Sequence, residues 1–177
     1  EIAQCLVGSE MCIRDRIESD DMEIKEYKEL NPCIPDNIKK DIRECGAKEE
    51  IKEPVYRVAK NGKKDKVAFF STYEEILEGI LPDNEKKYPK NKVITYSTSV
   101  YLDKKPCEKF IKCLKKNVAT KETYPHPIIL QGRTTNGLVQ QTIEREPDYT
   151  DKLHVDWWIF KGEVEEVFEN FHELEEV

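Results

Sequence analysis

No apolar run in this sequence approaches the roughly 18 residues that a membrane-spanning helix needs. Glycine is scarce, seven in 177 residues, which excludes a collagen-like chain or a long flexible linker. There is no P-loop, no G-x-G-x-x-G after a strand and no G-x-S-x-G elbow, so the common nucleotide-binding and hydrolase turns are missing. Three scattered histidines and no C-x-x-C pair give no ligand spacing, and no metal is expected. Positive charge is the minority: 29 Lys and Arg stand against 36 Asp and Glu, for a net charge of -7 and a pI near 5.2. That balance argues against a basic nucleic-acid packager and against adhesion to an anionic membrane; no direct nucleic-acid binding and no membrane association are expected. What remains is a polar chain, 38% hydrophobic and 37% charged with a mean hydropathy of -0.73, that still has enough apolar residues for one core.

The first sixteen residues, EIAQCLVGSEMCIRDR, do not share the composition of the rest. The run CLVGSEMCIRDR resembles the translated adapter read-through found at the ends of proteins predicted from shotgun sequencing. Residues 1–16 are therefore expected to be a non-native tail, with 17–177 a single α+β domain and Met22 a candidate start. A signal peptide fits poorly, because the apolar stretch is short and acidic residues interrupt it. Setting the tail aside removes Cys5 and Cys12. Cys33, Cys45, Cys107 and Cys113 then read as reduced thiols of a cytoplasmic protein.

Along the chain, Asp36 is placed to cap a helix with Ile38, Ile42 and Cys45 on its inner side, and Gly46 to end it. Val55 to Ala59 reads as a strand, Asn61-Gly62 as a turn, and Val67 to Phe70 as a strand pairing back. Ser71 and Glu74 form a capping box ahead of a helix to Ile80 that presents Tyr73, Ile76, Leu77 and Ile80. Val93 to Leu102 alternates like a strand. Asp103 caps a helix whose core stripe is Cys107, Phe110, Ile111 and Leu114. Pro127 to Arg133 and Leu138 to Arg145 flank Asn136-Gly137 as a hairpin. Leu153 to Phe160 is a strand whose adjacent Trp157 and Trp158 require cover on both faces. Glu163 to Val177 reads as an amphipathic helix with Val164, Val167, Phe168, Phe171 and Leu174 inward. The order predicts an α+β fold: a mixed, largely antiparallel sheet flanked by helices.

One ordered set of residues carries a chemical suggestion: Arg57 on the first strand, the triplet Ser97-Thr98-Ser99 in a later one, and Glu144-x-Glu146 after the glycine-containing loop. This order resembles the arginine, STS and E-x-E pattern of ADP-ribosyltransferases. The resemblance implies an NAD-consuming transferase acting on an unknown protein acceptor. It implies that Arg57 binds the NAD phosphates, that Ser97, Thr98 and Ser99 brace the pocket, and that Tyr101 stacks on the nicotinamide. Glu146 would stabilise the oxocarbenium-like transition state, and Glu144 would orient the acceptor. The chemistry is coherent: a planar guanidinium matches a diphosphate, and a carboxylate beside a developing cation lowers the barrier.

Two further features stand apart from that pattern. His154 and Asp156 share one face of a strand, where a carboxylate can orient an imidazole for acid–base work. The last fifteen residues carry seven glutamates and no lysine or arginine. Such a row suits docking on a basic protein surface, as in small inhibitors carried by phages and mobile elements. A non-catalytic acidic interaction module is therefore the alternative to the transferase.

Overall fold

The computed structural model describes residues 28–174. The suspect first sixteen residues, with Cys5 and Cys12, and the final glutamates at 175 and 176 lie outside them. The fold is α+β, as expected. Helices α1 (Asp36–Glu44), α2 (Thr72–Leu77), α3 (Lys104–Lys116), α4 (Val118–Thr123), α5 (Thr142–Arg145) and α6 (Val164–Glu169) surround one sheet. Its strands are β1 (Val55–Ala59), β2 (Thr98–Tyr101), β3 (Ile128–Gly132), β4 (Gly137–Gln141), β5 (His154–Ile159) and β6 (His172–Glu173), in the order β4-β5-β2-β1-β3-β6. Every pairing is antiparallel.

Cross-strand partners in an antiparallel ladder share a face, so the register sorts the side chains. Val100 opposite Val155, Thr98 opposite Trp157 and Val139 opposite Trp157 belong to one face. There Val55, Leu130, Val155 and Trp157 pack with Phe69, Val167 and Phe171. Trp157 stacks on Phe171 and meets Phe69 edge-on, both geometries that aromatic quadrupoles favour. The second face carries Trp158 opposite Leu138. Here α1 lays Ile38 and Ile42 against Trp158, Tyr96 and Phe160, and the indole donates to Val93 O at 3.1 Å. Phe110 and Leu114 of α3 line a cavity with Ser99 and Tyr101, so α3 covers this same face beside α1. Both indoles are buried on opposite sides of β5, as the adjacent tryptophans required.

Local signals hold where a side chain closes its own turn. Ser71 and Glu74 make the reciprocal capping box, and Asp103 accepts from the Lys105 amide at 2.7 Å. Gly46 follows α1 with φ +94°, a conformation in which a Cβ is disfavoured. Asp36 is a first-turn residue paired with Lys39; Pro35 occupies the cap.

Long-range pairing is where the structure departs from the sequence reading. Residues 67–70 are not a strand. Asp65 accepts from the Ala68 amide at 3.1 Å and winds Lys66–Phe69 into a 3-10 turn that drops Phe69 into the core. The first half of the 93–102 run is likewise a 3-10 turn, Val93–Tyr96, so the strand shortens to β2. β3 and β4 do not form a hairpin. β3 pairs with β1 and β6, while β4 crosses to the opposite edge and pairs with β5. Buried Thr134 anchors that crossing, accepting from the Lys52 amide at 2.8 Å and donating to Glu50 O at 3.0 Å.

The inward sides of three helices also differ. α2 ends at Leu77, which is 58% exposed. It is Glu75 that turns inward, held by Lys60 at 2.5 Å. In α3, Cys107 and Leu114 are buried as expected, but Phe110 is 42% exposed. The last helix stops at Glu169, and the chain bends into β6, where the Leu174 amide donates to Ile129 O.

Gly137 sits where β4 meets β5, and a Cβ there would lie 2.5 Å from Trp158 O and 2.6 Å from Trp157 Nε1. Trp158 O is backbone and cannot yield without moving β5, and the Trp157 indole is held against Phe69 and Phe171. Gly137→Ala should therefore destabilise the fold by about 1–3 kcal/mol, read as a lowered urea midpoint; an unchanged midpoint would contradict this packing.

Candidate functional site

Arg57 is a charged residue at a core position of β1, 8% exposed. A cation there needs acceptors, and it takes them from the backbone. Nε donates to Ala68 O, Nη1 to Ser99 O at 2.6 Å and Nη2 to Phe70 O at 2.9 Å. β1 meets β2 at the single register pair Tyr56 with Tyr101, and the guanidinium bridges the two elements beyond it. Burial pulls its pKa down, with the Glu75 carboxylate opposing. Three of five N–H donors are engaged, and two remain.

The triplet divides by pleat. Ser97 Oγ donates to Asp156 Oδ1 at 2.6 Å, and Ile94 O lies 2.9 Å from the same oxygen. Thr98 Oγ1 points to the opposite side and donates to Phe69 O at 2.7 Å. Ser99 is half-buried. Arg57, Ser97, Ser99 and Tyr101 all line one cavity of about 390 Å3, joined by Lys60, Lys87, Tyr88 and Tyr124. Burial raises the Tyr101 phenol, which stays protonated. Thr98 is not part of this lining.

The paired glutamates are elsewhere. The expected strand ends at Gln141, and the chain winds into α5. Glu144 is exposed on that helix, and Glu146, just past its end, lies 3.5 Å from Arg145. Neither lines the cavity. Its one carboxylate among the described residues is Glu75, tied to Lys60.

His154 and Asp156 belong to a buried polar network that local spacing did not reveal. Asp156 is fully buried and accepts three hydrogen bonds: Ser97 Oγ on Oδ1, and on Oδ2 both Thr142 Oγ1 at 2.9 Å and Arg145 Nη2 at 2.7 Å. Gln140 extends the network, accepting from Arg145 Nη1 at 2.8 Å. The expected direct contact from Asp156 to the imidazole is long, 3.9 Å, because Thr142 stands between them with Oγ1 2.6 Å from His154 Nδ1. A hydroxyl has one proton. If Thr142 gives it to Asp156, Nδ1 must carry its own, and the lone pair sits on Nε2. Rings of Tyr101 and Tyr149 flank the imidazole at 5.3 Å. Burial lowers the His154 pKa, while Asp156 pulls the other way. Thr142, Arg145 and Gln140 had no signal in the sequence, since their roles depend on β4 lying beside β5.

Among the described residues no group of His, Cys, Asp or Glu is placed to hold a metal. The four described cysteines are free thiols. Burial pushes Cys33 up to about 11 and Cys107 up to about 12, so neither is a thiolate at neutral pH.

Replacing Asp156 by Asn should cost about 3–5 kcal/mol in a denaturant titration, because Arg145 and two hydroxyls would face an amide in place of a carboxylate. The histidine predicts an acid effect. The unfolded chain takes up a proton near the ordinary value of 6.5, and the folded chain resists until lower pH. The unfolded state then holds more protons, so stability falls as pH drops from about 7 to 5. His154→Gln should flatten that slope in urea midpoints taken across the range; a wild-type slope retained in the variant would exclude His154 as the source.

No protein-family model, no curated protein and no solved structure matches the chain.

Proposed function

We propose that the chain binds a nucleotide of the NAD class in the cavity beside Arg57. The observation that carries this is that Arg57 of β1 meets Ser97, Ser99 and Tyr101 of the later β2 segment on one lining with Lys60, Lys87, Tyr88 and Tyr124. Tyrosines offer flat faces to a base or a nicotinamide, and Lys87 and the two unengaged N–H groups of Arg57 offer donors to phosphate. The volume falls at the lower end of ligand pockets, roughly 300–1,000 Å3, and suits a mononucleotide half better than a whole dinucleotide.

This keeps the binding half of the ADP-ribosyltransferase resemblance and leaves transfer without a placed carboxylate. Glu146 is outside the cavity, and Glu75 inside it is neutralised by Lys60. The reading is therefore a binding site first, with NAD as ligand. The acidic interaction module remains the second reading. It rests on the exposed Glu165, Glu166 and Glu169 of α6 and Glu173 of β6.

Calorimetric titration with NAD, ADP-ribose and AMP separates these readings. Saturable binding should weaken about 5- to 100-fold in Tyr88→Ala, through lost stacking, and stay unchanged in Glu146→Gln. Absence of binding by all three ligands would sink the nucleotide reading. NAD consumption that Glu146→Gln abolishes would replace it with the transferase.

A further inference from the structure

The cavity beside Arg57 has a neighbour of nearly the same size. A second cavity, of about 350 Å3, is lined by Asn61, Val67, Ala68, Ile80 and Thr123. Val58, Lys60, Glu75 and Tyr124 belong to both linings, so the two cavities share one wall. That wall is built around an ion pair, Lys60 with Glu75 at 2.5 Å, and the Tyr124 ring lies 5.8 Å from the Lys60 ammonium. The lysine is the more exposed of the pair. The cavities differ in chemistry. The first carries the Arg57 guanidinium, Lys87 and the hydroxyls of Ser99 and Tyr101, whereas the second is mostly apolar, through Val58, Val67, Ala68 and Ile80. A Cβ on Gly79 would meet nothing within 4 Å, so that side of the second cavity is open.

We propose that the second cavity holds the adenine of a dinucleotide whose other half occupies the cavity beside Arg57. This rests on the nucleotide reading of the first cavity and adds to it a preference for the dinucleotide over either of its halves. A cavity of about 390 Å3 takes one half, and the rest of the ligand needs an adjoining space. The shared wall supplies that space directly beside the first. Chemistry sets which half goes where. The carboxamide of nicotinamide needs hydrogen-bond partners, and the first cavity has them. Adenine offers the larger ring face, which suits an apolar lining with Tyr124 at its edge. The pyrophosphate crosses the rim of the wall, where the charges of Lys60 and Glu75 cancel. Its own charge is met on the near side by Lys87 and the unengaged N–H groups of Arg57.

Calorimetric titration of the full chain with NAD, AMP and nicotinamide mononucleotide tests the proposal. NAD should bind one-to-one and about 5- to 100-fold more tightly than either mononucleotide, the gain from holding a second base. Thr123 and Ile80 line the second cavity and not the first. Thr123→Trp adds bulk there from an exposed position of α4, and Ile80→Trp adds it from a half-buried position just past α2. Each variant, folded by urea midpoint, should bring NAD down to the affinity of nicotinamide mononucleotide and leave that ligand's own binding unchanged. The exposed Thr123→Trp carries the test if Ile80→Trp does not fold. NAD bound no more tightly than its halves would overturn the second cavity and leave the first standing. Wild-type NAD affinity in folded Thr123→Trp would overturn it as well, and so would an equal loss for NAD and nicotinamide mononucleotide. Absence of binding by all three ligands would remove both cavities' readings together.

Discussion

A carboxylate with no access to water sits at the middle of this fold. Asp156 on β5 cannot be solvated, so it must be met by protein donors, and it collects Ser97 from the segment before β2 and Thr142 and Arg145 from α5. That requirement holds three separate pieces of chain in one arrangement. It keeps β4 and α5 against β5, and β2 against its other side. The aromatic packing around Trp157 and Trp158 fills the space on both faces of β5. A charged acceptor with directional donors adds a second constraint on which residues stand opposite one another.

Arg57 shows the same rule from the other sign. A guanidinium on the core side of β1 is tolerated because three backbone carbonyls receive it, two from the 3-10 turn after β1 and one from β2. The residue thus shapes its cavity as well as lining it. Arg57, Ser97, Ser99 and Tyr101 meet, Thr98 braces the opposite side through Phe69 O, and the glutamates stay at the sheet margin. Strand alternation separates Thr98 from its neighbours, and the winding of α5 carries Glu144 and Glu146 away.

Charge tells a similar story at larger scale. A net of -7 describes the chain in aggregate, yet α3 is basic along its whole outer side, while α6 and β6 expose glutamates. α3 covers the face bearing Ser99, and α6 packs Val167 on the face bearing Trp157, so the sheet keeps the two apart. An average over the sequence cannot see a separation that folding creates.

What the sequence by itself determined is local. The capping box at Ser71 and Glu74, the Asp103 cap, the glycine after α1, β1, and a β5 covered on both faces all follow from residues that interact within a turn or alternate across one strand. What only the tertiary structure decided is which distant edge each element joins. Asn136-Gly137 has the residues of a tight hairpin, but β4 gains more by covering the open side of β5, with Thr134 pinning the crossing. Residues 67–70 have strand-like side chains, but β3 already occupies the free edge of β1. A stretch of backbone can satisfy its hydrogen bonds in several ways at nearly equal local cost. The choice falls to long-range contacts, and those are set by the whole chain at once.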